Sequence, residues 1–304
     1  MVLIHSRQGD DTSIEIIKWL RSMGKPTFRI NTINDYDHVR SLIVSGKVQS
    51  VYYNGLGAQF SEINTDDPDL KMQLRSFLKN DANRVWEALL LKIPLTRSFG
   101  NIPFRGNLIN KLKVLDLASS IGFAVPETEI VTTKVKLREL KELWGRLICK
   151  TVEDSVSIAT QTMIIHGQRT EEITEQVLEE LPDQFFPTLV QQLIEKQFEV
   201  RTFVFRDNIK SIACFTQSDL ETAIDGRRID SDRPQRLVPY LLPDEAKEKA
   251  LMLIERLSLN YGSFDFIMTP NDELIFLEVN PFGQYGFVSS AANYYLEKEI
   301  ATLL

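Results

Sequence analysis

The chain has only 2 cysteines and 3 histidines among its 304 residues. Cys149 and Cys214 each lie inside an apolar run, which suits small buried thiols and offers neither disulfide nor metal spacing. His5, His38 and His166 are scattered, with no partner at catalytic or ligating spacing, and all three read as structural. Basic charge is short as well. The 35 Lys plus Arg stand against 42 Asp plus Glu, a formal charge of -7, which argues against a nucleic-acid partner. No run of about 18 apolar residues occurs, and the opening Met1-Val2-Leu3-Ile4-His5 is too short for a signal peptide. No membrane partner is therefore expected, and a reducing cytoplasmic location is. Also missing are a Gly-x-Ser-x-Gly elbow, a Walker lysine loop and a Gly-x-Gly-x-x-Gly fingerprint, which removes several common enzyme classes.

What is present is enough apolar sequence, 43%, for two or three packed units. Residues 1–100 alternate short β-like runs with amphipathic stretches, predicting a small parallel α/β sheet followed by a long helix over 66–92 with Leu70, Leu74, Phe77 and Leu78 at helical spacing, followed by Val85, Leu89 and Leu90. The breaker-rich segment 99–106 marks a domain boundary. An α+β unit follows over 101–187. Its first helix, 110–122, carries Leu112, Leu115, Ala118 and Ser119 on one face and ends at Gly122. Strands are predicted at 129–132, 147–151 and 160–165, with helices at 137–144 and 171–181. A second α+β unit covers 188–304: a strand at 189–194, a hairpin over 199–215 turning at Asp207-Asn208, a polar loop over 219–239, a helix at 245–258 and a final hairpin.

That last hairpin is the most informative stretch. Gly262 to Thr269 and Leu274 to Pro281 are apolar runs joined by Pro270-Asn271-Asp272-Glu273. A turn symmetric about Asn271 and Asp272 sets Asp265 opposite Glu278 and Ser263 opposite Asn280. Asp265, Glu278 and Asn280 then share one face, with Phe264, Phe266, Leu277 and Val279 on the other. Facing carboxylates repel, and a hard divalent cation between them would reverse the sign; a solvated charged edge is the alternative.

Other candidates stand upstream. Lys150 interrupts an apolar strand and either reaches water along its stem or holds an anion in a cleft. Lys111 opens a helix, where a cation opposes the macrodipole. Glu199 and Arg201, two apart on one strand face, suit ribose hydroxyls and a phosphate or carboxylate, or else form an exposed ion pair. Arg227 and Arg228 would suit an anionic substrate or a solvated loop.

Taken in order, these features resemble the ATP-grasp ligases, and the segments 1–31, 280–287 and 293–296 resemble the graspetide synthetases, the microviridin-type peptide maturases, within them. The resemblance implies an ATP-grasp fold with an N-terminal pre-ATP-grasp α/β domain (1–100), a central domain (101–187) and a C-terminal domain (188–304), and it implies ATP and Mg²⁺ as cofactors. It assigns Lys111 and Lys150 to the phosphates, the hinge Gln191, Gln192, Leu193 and Ile194 to adenine, and Glu199 to the ribose. Asp265, Glu278 and Asn280 fall to magnesium, while Arg201, Arg227 and Arg228 take catalytic roles toward an acyl phosphate. The implied substrate is a ribosomal precursor peptide with a leader and a core of Thr/Ser plus Asp/Glu. Its carboxylates would be joined to Ser/Thr hydroxyls or Lys amines in macrocycles, and the leader would be recognised near 207–218. A homodimer is also implied. The family's glycine-rich phosphate lid has no counterpart in the glycine-free Val152-Glu153-Asp154-Ser155-Val156-Ser157. An amino-acid ligase adding glutamate to a protein or cofactor would share every nucleotide residue, and a non-catalytic nucleotide-binding regulator would share the scaffold.

Overall fold

The computed structural model describes residues 1–6, 9–54, 63–94, 96, 98–101, 109–152, 158–159, 164–165, 170–215 and 235–304. Arg227, Arg228, His166, most of the boundary segment and the stretch 153–157 lie outside the described residues.

The first sheet is parallel, in the order β2 (Thr27–Ile30), β1 (Val2–Ser6), β3 (Ser50–Asn54), β4 (Ser98–Phe99). Alternation along β1 sends Val2 and Ile4 to one face, against Ile16 and Leu20 of α1 (Asp11–Ser22). Leu3 points to the other face, against α2 (Tyr36–Val44) and α3 (Pro68–Leu90). Of the apolar residues at helical spacing in α3, Leu89 and Leu90 make the contact, with Ala82 and Trp86, while Leu70, Leu74, Phe77, Leu78 and Val85 are exposed. Spacing identifies a stripe, but not what covers it.

The second sheet is antiparallel, in the order β5 (Thr128–Thr133), β10 (Gln184–Gln192), β6 (Leu147–Lys150), β9 (Glu171–Glu172). Helices α5 (Lys134–Trp144) and α6 (Glu175–Glu180) cover one face. Three expectations change here. The strand at 189–194 pairs inside this sheet through Gln192 rather than opening the third unit. The region 171–181 begins as strand and becomes helix only after Thr174 caps Val177. The strand expected at 160–165 is described only as β8 (Ile164–Ile165), paired with β7 (Ile158–Ala159).

The third sheet runs β13 (Arg236–Tyr240), β12 (Asn208–Phe215), β11 (Phe198–Phe205), β14 (Tyr261–Met268), β15 (Leu274–Asn280), all antiparallel. The segment expected to be loop through 239 thus ends in a strand. The turn between β11 and β12 is Arg206-Asp207, one residue earlier than expected, with Arg206 at φ 55°. One face carries Val200, Val204, Phe264, Phe266, Phe276 and Val279, covered by α7 (Asp244–Arg256) and by α4 (Lys111–Ile121). α4 buries Val114, Leu115 and Ala118 there, leaving Ser119 exposed, and Gly122 closes it at φ 98°. The opposite face packs on the first sheet at one end, together with α8 (Gly286–Ala291) and α9 (Leu296–Leu303). Its other end is open. Among the described residues no helix is long and apolar enough to cross a membrane.

Candidate active site

The open end of the third sheet and the uncovered face of the second enclose an open cleft lined by charged, polar and apolar side chains from both. Alternation places its lining. Leu147 and Cys149 of β6 point into the core under α5, so Ile148 and Lys150 point into the cleft. Lys150 is therefore a cleft lysine and not a snorkelling edge residue. Gln191, opposite Ile148, shares that face and donates from Nε2 to Thr128 Oγ1 at 2.8 Å. Gln191 to Ile194, the segment expected as a hinge, line the cleft, their backbone tied down where Leu193 N–H donates to the Arg146 carbonyl at 2.8 Å.

Across the cleft, three neighbouring strands set Arg201, Asp265 and Glu278 in one row. Arg201 pairs directly with the Asp265 carboxylate, and its Nη2 donates to Glu199 Oε2 at 3.1 Å. Lys196 Nζ donates to the other Glu199 oxygen at 2.7 Å. Charges thus alternate from Lys196 through Glu199 and Arg201 to Asp265, which faces Glu278. Burying Glu199, only 7% exposed, is tolerable because two cations satisfy it. Burial opposes the charge on Arg201, but Asp265 and Glu199 outweigh it and raise its pKa. Asp265 is pushed up to about 6 by burial, which the lowering by Arg201 does not offset, and Glu278 adds a smaller repulsion. Burial drives the neighbouring Cys214 thiol up to about 12, which keeps it neutral.

The facing carboxylates have the expected partners by a different route. Near the turn the pairs are Met268 with Leu274, Ile267 with Ile275 and Phe266 with Phe276, one residue out of the register assumed for a symmetric turn. The loop is three residues, Pro270 to Asp272, with Asp272 at φ 61°. Leu277 is then extra, a bulge that returns Glu278 to a position opposite Asp265 and Asn280 opposite Ser263. Leu277 lines the cleft beside Glu278 instead of pointing to the opposite face.

The remaining candidates sit at the margin. Lys111 Nζ reaches the carbonyl of Thr151, next to Lys150, at 3.3 Å, without lining the cleft. Asn280 is exposed, and its Oδ1 accepts the Phe282 N–H at 2.9 Å. Sequence reasoning missed Lys196, 8% exposed in the link before β11. The usable signal was a lysine three residues before a strand-borne glutamate. Among the described residues no three His, Cys, Asp or Glu side chains converge as a metal cage. Two carboxylates side by side suit a magnesium ion that takes its other oxygens from phosphates and water, and Lys150 in the cleft suits those phosphates.

No protein-family model and no curated protein matches the sequence. Solved structures do match. The macrocyclase MdnC from Microcystis aeruginosa MRC, bound with precursor peptide MdnA, aligns at TM-score 0.75 and 21% identity over 100% of this chain and 99% of that one. A RiPP-associated ATP-grasp ligase from Chryseobacterium gregarium, in complex with ADP and a leader and core peptide, aligns at TM-score 0.78 and 19% identity over 99% and 94%. The D-alanine–D-alanine ligase of Bacillus anthracis aligns less well, at TM-score 0.56 and 15% identity over 99% and 94%. Likeness to ATP-grasp ligases over nearly the whole of both chains shows the fold: the chain has the ATP-grasp fold.

Proposed function

We propose that the protein is an ATP-dependent peptide macrocyclase. It joins Asp or Glu side-chain carboxylates of a ribosomally made, leader-bearing precursor to Ser or Thr hydroxyls, as esters, or to Lys amines, as amides, of the same peptide. The observation that carries this reading is the Arg201–Asp265–Glu278 row facing Lys150 across a cleft floored by a hinge strand. Full-length likeness to a macrocyclase bound with a precursor peptide and to a RiPP-associated ligase holding ADP supports the substrate class.

In this reading Asp265 and Glu278 hold Mg²⁺ with Asn280 at the margin, Lys150 and Lys111 neutralise phosphate charge, and the hinge flanks the adenine. Bound Mg-ATP supplies the phosphoryl group that activates a carboxylate. Glu199 keeps lone pairs for ribose hydroxyls beyond its two cation partners. Arg201, clamped between Glu199 and Asp265, is a preorganised positive charge for an incoming carboxylate and needs no reorientation. Arg227 and Arg228 are proposed to join it. A cytoplasmic location and a homodimer belong to the same proposal.

Mass spectrometry of a precursor peptide incubated with the protein, ATP and magnesium tests it. Loss of one water per ring is expected. Gain of an amino-acid residue would replace the reading with the amino-acid ligase, and nucleotide binding without peptide-dependent ADP release would leave a binding module.

A further inference from the structure

α3 has 23 residues, a length of about 35 Å, whereas the strands it crosses have at most 5. Its C-terminal part does the packing, and Trp86 meets His5, near the carboxyl end of β1, at a ring separation of 5.9 Å. The helix connects parallel β3 to β4 and so runs against the strands. Residues 68–81 therefore stand beyond the carboxyl edge of the first sheet, an overhang of about 20 Å. Along it, Leu70 is 45% exposed, Leu74 36%, Phe77 66% and Leu78 40%, spaced as one stripe. Beside the stripe, Lys71, Arg75 and Lys79 recur every fourth residue, with no ion-pair partner among the described residues.

The same sheet edge adjoins the carboxylate hairpin. Asn101, two residues past β4, donates from Nδ2 to the carbonyls of Tyr261 at 2.8 Å and Pro281 at 2.5 Å. The arm therefore rises from the side of the molecule that carries the Asp265–Glu278 end of the cleft.

We propose that the overhanging part of α3 is a docking arm for an acidic, amphipathic segment of the peptide substrate, whose apolar side chains lie on the stripe and whose carboxylates lie along the Lys71–Arg75–Lys79 row. This rests on the peptide-ligase reading. The charge pattern selects this occupant over a second copy of the chain. Two-fold antiparallel pairing along the stripe would set the basic row of one helix beside that of its twin. One half-helix also covers far less than the roughly 800 Å² per partner of a standard interface.

The test uses the full chain and a fluorescent synthetic helical peptide with leucines at i, i+3, i+4 and i+7 flanked by glutamates, with a lysine-flanked version as control. Fluorescence anisotropy is expected to show binding of the glutamate probe. The combined Lys71→Glu, Arg75→Glu, Lys79→Glu variant should bind it about tenfold more weakly and prefer the lysine probe. Phe77→Asp should weaken both, and nucleotide affinity should stay unchanged in every variant. Equal binding of the glutamate probe by wild type and both variants overturns the proposal. So does a wild-type dimer in sedimentation velocity that Phe77→Asp dissolves, which would give the stripe to a second copy. The two readings fail separately. Arm variants that cyclise precursor with an unaltered KM would sink the arm alone, whereas charge-selective probe binding without water loss from any precursor would sink the macrocyclase alone.

Discussion

One face of β11 is two different environments. Glu199 and Arg201 look into the cleft, while Phe203 and Phe205, on the same face a few residues further along, are buried against the first sheet. The aromatic half is dense. Phe99 stacks on Tyr261 at 4.6 Å and on Tyr52 at 5.0 Å, Phe203 meets Tyr285 at 4.7 Å, and the Tyr52 and Tyr285 hydroxyls share a hydrogen bond of 2.9 Å. The charged half gains its order from ion pairs instead, Lys196 to Glu199 and Arg201 to Asp265. Aromatic packing against the first sheet and the charged lining of the cleft are thus allotted to adjacent stretches of a single strand, and damage to one is expected to spare the other.

Phe99→Ala should have the largest effect. Removing the ring at the centre of the aromatic joint should cost about 3–5 kcal/mol in denaturant unfolding and leave the nucleotide affinity of the folded fraction unchanged. A loss of affinity matching the loss of stability would mean that the two halves are one coupled unit. Glu278→Gln should do the reverse, lowering turnover by about 100-fold with a near-normal unfolding midpoint. Full activity in that variant would remove Glu278 from the metal site. Lys150→Ala should raise the nucleotide dissociation constant by about tenfold, since one charged contact to phosphate is lost. Unchanged affinity by titration calorimetry would make its place in the cleft incidental.

The smallest effect is one of pH. Asp265 in the folded chain holds its proton up to about 6, above the ordinary 3.8, so folding favours the protonated form. Its contribution to ligand-free stability is present below about pH 4 and is lost as pH rises through about 6. Magnesium needs the ionised form, so its affinity should fall by about twofold between pH 7 and pH 6. A flat affinity across that interval would show that Asp265 does not bind the ion.

Much of this was legible in sequence where the signal is local. Strand alternation located Lys150, Glu199, Arg201 and the paired carboxylates, and apolar runs with breakers located most elements. What sequence could not express was partnership. The strand ending at Gln192 reads the same whether it joins the second or the third sheet, because strand pairing is decided by long-range contacts. Leu70 and Phe77 share a helical period with the buried Leu89 and Leu90 yet are exposed, because periodicity specifies a face and not its covering. Lys196 lies between elements, where no period applies. The assumed symmetric turn and the missing bulge were two errors of one residue each, and they cancelled at Asp265 and Glu278.

That cancellation bears on how the gene can vary in length. With Leu277 removed, the register of the loop side would simply continue, and Glu278 would follow Phe276 into the place opposite Asp265. The codon for Leu277 is therefore dispensable to the pairing itself: its loss would straighten the strand and retract one apolar side chain from the cleft, with both carboxylates still face to face.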